Sequence, residues 1–129
     1  MLDTHCHIDL YKNPEAILEY CEKNRIVVFS MTNLPSHFEL GLPYFKDKKY
    51  VRQALGLHPL HAELHDVEFP NFIKNFSKTS YIGEVGLDFS QRGIATKNMQ
   101  LKSFEKVLQL VKNENKILSL HSRKAENEV

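Results

Sequence analysis

Histidine and glutamate side chains occur at the ends of, or within, short apolar runs of this 129-residue chain. His5 and His7 end the first run, His58 follows the third, Glu84 lies in the fourth and His121 ends the fifth. Imidazole nitrogens and carboxylate oxygens are common ligands of divalent metals such as zinc and manganese. These residue types therefore indicate a metal centre if the fold brings the five side chains together.

The first pair of histidines has the spacing of a half-site for a metal. In His5-Cys6-His7 the period of two of an extended strand places both imidazoles on one side and Cys6 on the other. Two histidines that only make hydrogen bonds at a strand end are the alternative. Asp3 and the similar residues at other strand ends favour metal binding, so we predict that His5 and His7 are ligands.

Glu84 lies in the otherwise apolar segment IGEVG, residues 82–86. A carboxylate there is costly unless it is paired or bound to a metal, and no basic residue lies nearby in the segment. Its two oxygens can bridge two cations, as a two-metal phosphoesterase requires. His121 ends a similar apolar run, residues 117–120, and we predict that it is a further ligand.

A second group of histidines, His58, His61 and His65, follows the third apolar run. Pro59 favours a loop here over a helical pair of zinc ligands. We expect His58 to contact a phosphate, and His61 and His65 to be surface residues. Arg123 has two equally weighted interpretations, a contact to phosphate or a surface ion pair.

The elements that must position these residues alternate between strands and helices. We predict strands over residues 2–5, 26–31, 50–57, 81–85 and 117–121, and helices over 14–24, 36–47, 66–76 and 96–114. Asn13 is the expected N-cap of the first helix, Pro70 lies in the first turn of the third, and Ser122 starts a further one. The alternation predicts an α/β fold with a parallel sheet, whose carboxyl-terminal strand ends carry the active site.

Composition indicates one ordinary globular domain over residues 1–129. Hydrophobic residues make up 42% and charged residues 26%, and the formal net charge of +1 excludes a strongly basic nucleic-acid coat. No stretch approaches the roughly 20 apolar residues of a membrane span, and the N-terminus does not have the pattern of a secretion signal. Cys6 and Cys21 are too few for a disulfide framework, so we expect small core residues and a reduced, cytoplasmic protein.

Four motifs follow one another along the chain. They are Asp3-Thr4-His5-Cys6-His7, Gly56-Leu57-His58-Pro59, Gly83-Glu84-Val85-Gly86-Leu87-Asp88 with Gln100 and Phe104 in the next helix, and Leu120-His121-Ser122-Arg123 with Ala125. In this order they resemble the TatD family of metal-dependent deoxyribonucleases, which belongs to the amidohydrolase-like (β/α)8 TIM barrels. The resemblance extends over the whole chain.

The resemblance implies that His5 and His7 bind one divalent metal, that Glu84 is the catalytic residue that bridges two, and that His121 binds the second. The ions would be Mg2+, Mn2+ or Zn2+. His58 and Arg123, singled out above on the residues alone, are the predicted contacts to the substrate. The implied activity is hydrolysis of DNA as a 3′→5′ exonuclease. The sequence of residues 117–125 further resembles that of the TatD-type nuclease of the bacterial Qat anti-phage system.

Length sets this chain apart from a whole barrel. A (β/α)8 barrel takes about 250 residues, and this chain supplies about the first five strands and four helices, without the family's later histidine and aspartate ligands. Three explanations are open: a fragment, a barrel completed by another copy or another protein, or loss of metal catalysis. The alternative functions are an amidohydrolase-like hydrolase of small molecules and a non-catalytic subunit of a larger assembly.

Overall fold

The computed structural model describes residues 1–129 as parallel strands that alternate with four α-helices, which confirms the predicted α/β class. The strands are β1 (Leu2–Cys6), β2 (Val27–Ser30), β3 (Val51–Gln53), β4 (Leu55–Leu57), β5 (Tyr81–Asp88) and β6 (Ile117–Arg123). The helices are α1 (Pro14–Lys23), α2 (Pro35–Phe45), α3 (His65–Asn75) and α4 (Lys97–Val111), with short 3-10 turns at residues 8–10, 59–64, 76–78 and 94–96.

The predicted third strand, residues 50–57, is two strands that belong to different sheets. β3 completes the sheet β1-β2-β3 and β4 begins the sheet β4-β5-β6, with Ala54 between them. The buried hydroxyl of Thr32 donates to the Ala54 carbonyl over 2.9 Å and accepts from the Gly56 N–H over 3.0 Å. A side chain therefore replaces the strand ladder at this point and divides one extended segment into two.

Most of the apolar core lies around β5. The larger cluster has 11 buried residues and includes Phe72, Leu87 and Phe104, whereas the smaller cluster, between α1 and the β1-β2-β3 sheet, has five. The partly buried Phe69 and Phe76 pack against the larger cluster. Leu108 on α4 is exposed.

Three local predictions can be compared with the structure. Asn13 caps α1 as predicted, because its side chain accepts the Ala16 N–H over 3.2 Å. Pro70 lies inside α3, since the helix begins at His65, so its placement in the first turn is wrong. Ser122 starts no helix, because β6 continues to residue 123 in register with β5.

Gly86 permits the close approach of β5 and β6 beside the site. Its φ is +141°, a backbone conformation that side chains with a Cβ rarely adopt. A Cβ on Gly86 would collide with the backbone carbonyl of His121. Glycine at this position therefore allows His121 to lie directly beside the strand that carries Glu84.

Both cysteines are free, and both contribute to packing as predicted. Cys21 is buried in the smaller core cluster and the half-buried Cys6 packs against it. None of the helices combines the length and apolar character needed to cross a membrane.

Candidate metal centre

The candidate site lies at the carboxyl-terminal ends of the strands. β1 ends beside His5 and His7, β5 carries Glu84, β6 carries His121, and His58 follows β4 directly. Because parallel strands all end at the same edge of the fold, residues far apart in sequence meet there. The structure thus brings together the five side chains that the sequence singled out.

Glu84 is the centre of this group. Its Oε1 lies 2.6 Å from Nδ1 of His121. Its Oε2 lies 3.1 Å from Nε2 of His7, 3.4 Å from Nε2 of His58 and 3.5 Å from Nε2 of His5. One buried carboxylate is therefore surrounded by four imidazoles.

These neighbours keep Glu84 ionised. Burial raises the pKa of its carboxyl, but hydrogen bonds from His121 and His7 outweigh that effect and hold the pKa well below its ordinary value. A carboxylate that is charged in a buried position attracts cations strongly. Glu84 is thus ready to bind metal without first losing a proton.

His121 lies between two carboxylates. Its Nδ1 faces Glu84 over 2.6 Å and its Nε2 faces Oδ2 of Asp88 over 3.0 Å. The hydrogen bond to Glu84 raises the pKa of His121, burial opposes it, and the bond to Asp88 adds to the increase. Metal binding at His121 would displace a proton that these two carboxylates otherwise hold.

Asp88 is held by a network from α4 and the following loop. Its backbone N–H donates to Oε1 of Gln100 over 2.7 Å, and its carbonyl accepts from Nε2 of Gln100 over 3.0 Å. Its Oδ1 accepts the Ser90 N–H over 2.9 Å. Burial raises the pKa of Asp88, but hydrogen bonds from Ser90 and His121 lower it by more, so the pKa lies below its ordinary value. The Asp88 side chain is therefore an anionic partner for His121.

His58 approaches the same carboxylate from the turn after β4. Its side chain is 12% exposed. Burial lowers the pKa of His58 to about 4, with the charge of Glu84 opposing. The ring is therefore neutral at pH 7 and has one nitrogen that donates and one that accepts.

The donor set fits divalent metal ions. Two groups of three side chains, His5, His7, Glu84 and His58, Glu84, His121, have ligand atoms within 4.8 Å of one another. All the side chains paired with Glu84 are imidazoles, which bind metal when they lose a proton, and none is a lysine or arginine. Because both groups share Glu84, its two oxygens can serve two ions.

The first group opens to the surface. A depression of about 590 Å³ lies over it and is lined by Asp3, His5, His7, Tyr11 and Lys12 among others. The side chain of His5 is 43% exposed, whereas that of His7 is 21% exposed. The β1 side of the centre is therefore directly accessible from the surface.

The remaining sequence predictions have mixed outcomes. Arg123 is exposed at the end of β6, on the same face of that strand as His121, and lies outside the cluster around Glu84. His61 also lies outside it and is half-buried. The prediction that His65 is a surface residue is wrong: it is 4% exposed, because it packs between His58 and α4.

Sequence reasoning missed three residues that contact the site or its supports. Asp88 follows Glu84 by four residues on the same face of β5, a signal that the period of two could have given. Ser119, whose Oγ lies 3.0 Å from Nδ1 of His5, follows the same rule relative to His121. Ser103 on α4 carries no such signal, since only the tertiary fold brings it to His65.

A parallel α/β fold with imidazoles gathered around a carboxylate at its carboxyl edge is typical of metal-dependent hydrolases. The family model described as TatD related DNase matches residues 2–129, and the chain therefore belongs to this family. The resemblance read from the four motifs is thereby confirmed at the level of the family.

Curated relatives carry related names. Human "Deoxyribonuclease TATDN3" is 29% identical, over 97% of this chain and 53% of its own length. "Uncharacterized metal-dependent hydrolase MJ1582" of Methanocaldococcus jannaschii is 28% identical, over 99% of this chain and 53% of its own length. Human "3'-5' RNA nuclease TATDN2" is 27% identical, over 99% of this chain and 19% of its own length. The chain thus spans about half or less of the length of these relatives.

Solved structures show the same fold. The YJJV TatD homolog from Escherichia coli K12 superposes with a TM-score of 0.82 at 24% identity, over 99% of this chain and 52% of that one. A TatD family hydrolase from Entamoeba histolytica gives 0.69 at 17% identity, over 99% and 51%. The likeness confirms that this chain has the fold of part of a TatD-like barrel.

Proposed function

We propose that this chain is the metal-binding part of a divalent-metal nuclease that hydrolyses DNA phosphodiester bonds as a 3′→5′ exonuclease. The observation that carries the proposal is the buried carboxylate of Glu84 with four imidazoles around it and no basic side chain paired to it. A structural ion pair would need only one cation. Several imidazoles that can each lose a proton, gathered around one carboxylate, instead suit divalent metal ions.

Each residue of the centre has a distinct role in this proposal. His5 and His7 would hold one divalent ion with Glu84, and His121 would hold the second, with Glu84 shared between them. Bound divalent ions supply a water of lowered pKa and positive charge for the phosphate. Asp88 orients His121 through the hydrogen bond to its Nε2, as a carboxylate behind a ligating histidine commonly does.

Two further residues contact the substrate. His58, neutral and 3.4 Å from Glu84, donates a hydrogen bond to a phosphate oxygen beside the metals. Arg123, exposed at the end of β6, reaches a more distant phosphate. Since the formal net charge is only +1, few phosphate contacts are expected and the affinity for DNA should depend only modestly on salt.

The free strand edges suggest a partner. β1 pairs only with β2, and β6 pairs only with β5, so each has an unpaired edge. We propose that further parallel strands pair with these edges and close the barrel, supplied by further residues of a longer chain, by another copy or by another polypeptide. Light scattering of the purified chain, alone and with metal, would show self-association directly.

The test of the nuclease proposal uses end-labelled single-stranded oligonucleotides with Mn2+, Mg2+ or excess EDTA. We expect shortening from the 3′ end that EDTA abolishes and that Glu84→Gln reduces by at least about 100-fold. Glu105→Gln, on the exposed face of α4, is the matched control and should cleave like the wild type. An RNA oligonucleotide of the same sequence measures the preference between the two nucleic acids.

The other outcomes separate the alternatives. Metal binding without cleavage of either nucleic acid would contradict catalysis by this chain alone and favour the non-catalytic subunit. Metal-dependent hydrolysis of small amides or esters, with no cleavage of DNA, would favour the amidohydrolase-like enzyme. We extend the proposal to a role in anti-phage defence in the cytoplasm, because the sequence of residues 117–125 resembles that of the Qat-system nuclease. This role predicts that Glu84→Gln abolishes protection of a host from phage.

A further inference from the structure

The strongest feature outside the metal centre is the buried histidine of α3. The Nε2 atom of His65 lies 2.9 Å from the backbone carbonyl of His58, and its Nδ1 atom lies 2.6 Å from Oγ of Ser103. A carbonyl only accepts hydrogen bonds, so Nε2 of His65 must carry a proton and donate. Burial lowers the pKa of His65, which leaves the ring neutral and makes Nδ1 an acceptor. The Ser103 hydroxyl is the donor within reach of it, at a shorter distance than the 2.9 Å to the competing Met99 carbonyl.

This contact places His65 against a turn that is held at several points. The carbonyl of His58 accepts from His65 and also from the backbone N–H of His61 over 3.0 Å. The backbone N–H of His58 donates to the Asn33 carbonyl over 2.8 Å. Hydrogen bonds therefore hold both the N–H and the carbonyl of His58, and His65 supplies the one side chain that bonds to this backbone.

The same turn determines which nitrogen of His58 is protonated. The backbone N–H of Leu60 points at Nδ1 of His58 over 3.2 Å. A backbone N–H can only donate, so Nδ1 presents its lone pair and the ring proton resides on Nε2. That nitrogen faces Oε2 of Glu84 over 3.4 Å.

We propose that His65 and Ser103 are positioning residues that lock His58 in the Nε2–H form, so that His58 is a hydrogen-bond donor at the metal centre and not a metal ligand. The part that concerns phosphate rests on the nuclease function proposed above; the lock itself does not. By geometry alone His58 belongs to the group His58, Glu84, His121. A ring whose Nε2 carries the proton has no lone pair to offer there.

A donor at this point is useful for phosphodiester hydrolysis. Negative charge grows on the phosphate oxygens in the transition state, and a fixed, neutral N–H stabilises it without rearrangement. Oriented donors of this kind lose much of their value when they turn away by a small angle. The expected consequence of losing His65 is therefore a lower kcat with little change in KM.

The first test measures the lock without any activity. Nitrogen-15 NMR of the histidine rings, in chain labelled on histidine and free of metal, reports which ring nitrogen of His58 is protonated. We expect the Nε2–H form alone. Titration with Zn2+ as the probe should shift the ring signals of His5, His7 and His121 while His58 keeps its Nε2 proton. An Nδ1–H form, or a Zn2+-bound His58, would overturn the proposal.

Variants then test the positioning residues. His65→Leu and Ser103→Ala should each give a mixture of His58 forms, whereas His65→Gln, whose amide can still donate to the carbonyl, should restore the single form. His61→Ala is the matched control, because it keeps the backbone N–H that bonds to the same carbonyl. A single unchanged form in folded His65→Leu and Ser103→Ala would contradict the role of the pair.

Activity provides a separate readout. In His65→Leu we expect kcat to fall by about 10-fold or more with KM nearly constant, a size common for residues that orient an active group. If the wild type cleaves nothing while His58 keeps its single form, the nuclease function fails and the lock stands. If the wild type cleaves and His58 is a mixture, the lock fails and the function stands.

Discussion

The strands that carry the two sides of the metal centre differ sharply. β5 is buried along nearly its whole length and pairs on both edges, with β4 and with β6. β1 pairs on one edge only and is exposed over most of its residues. Both strands supply site residues, Glu84 from β5 and His5 from β1. The metal centre therefore combines residues from a buried, fully paired strand with residues from an exposed strand that is paired on one edge.

The hydrogen bonds follow the same division. Glu84, His121, Asp88 and Gln100 form a connected network in which each side chain has partners. On the other side, Nδ1 of His7 is buried without a hydrogen-bond partner in the protein. The carboxylate side is thus fully paired within the protein, whereas the β1 side keeps one imidazole nitrogen available for a further partner such as a metal.

The largest expected difference is in stability. Leu87 on β5 is fully buried, so Leu87→Ala should lower the free energy of unfolding by about 2–5 kcal/mol. Leu2 on β1 is 61% exposed, and Leu2→Ala should change it by no more than about 0.5 kcal/mol. Urea denaturation of both variants gives the comparison, and equal losses would show that β1 is as tightly packed as β5.

Metal binding should stabilise the chain and reduce the difference in hydrogen-exchange protection between β1 and β5. At a free Zn2+ concentration of 100 times its Kd, the free energy of unfolding should rise by about 2.7 kcal/mol. Hydrogen exchange should slow mainly at the amides of β1, since β5 is already protected by burial and pairing.

The control for metal binding is Glu84→Gln. This variant should show neither the gain in stability nor the slower exchange in β1, because it removes the shared carboxylate. Equal slowing in β1 and β5 of the wild type would contradict the view that only the β1 side is incompletely ordered.

The network on the β5 side can be broken from α4. Gln100 is fully buried and holds the Asp88 backbone through its amide. Gln100→Met keeps the size but leaves a buried N–H and a carbonyl unpaired, so we expect a loss of about 2 kcal/mol. Gln109→Met, at an exposed position of the same helix, is the control and should stay within about 0.5 kcal/mol. Similar losses of stability in Gln100→Met and Gln109→Met would show that the hydrogen bonds of Gln100 to Asp88 do not stabilise the β5 side.

The fold was predictable where signals are local. The Asn13 cap and the apolar runs gave the order of strands and helices, because capping and strand burial depend on neighbouring residues. The division of residues 50–57 into β3 and β4 was not predictable. It depends on the Thr32 side chain, which lies more than twenty residues away in sequence and replaces part of the ladder.

The site shows the same limit. His5, His7, Glu84 and His121 could be selected because polar residues at the ends of apolar strands are unusual, and the structure brings them together. His65 could not, because a histidine in a polar segment looks like a surface residue. Its burial follows from the packing of α3 against α4 and the turn at His58, which no pattern in its own segment reports.

The smallest predicted effect is a pH dependence of the free energy of unfolding, which we expect from the buried His65 on the β5 side. Burial lowers the pKa of His65 below the ordinary value of 6.5, so the unfolded chain binds a proton in the range just below 6.5 that the folded chain does not. Stability should therefore fall as pH decreases below about 6.5, with a slope of at most about 1.4 kcal/mol per pH unit from this residue. Urea denaturation of metal-free protein between pH 5 and 6.5 measures it.

His65→Gln should make that slope shallower without removing it, because His58 has its pKa lowered by burial as well. The raised pKa of His121 acts in the opposite sense and mainly above pH 6.5, and it is common to both proteins, so it does not affect the comparison between them. Gln109→Met, which removes no titratable group, should keep the slope of the wild type. An unchanged slope in His65→Gln would mean that His65 is accessible to protons in the folded chain, and the β5 side would then be less closed than its burial indicates.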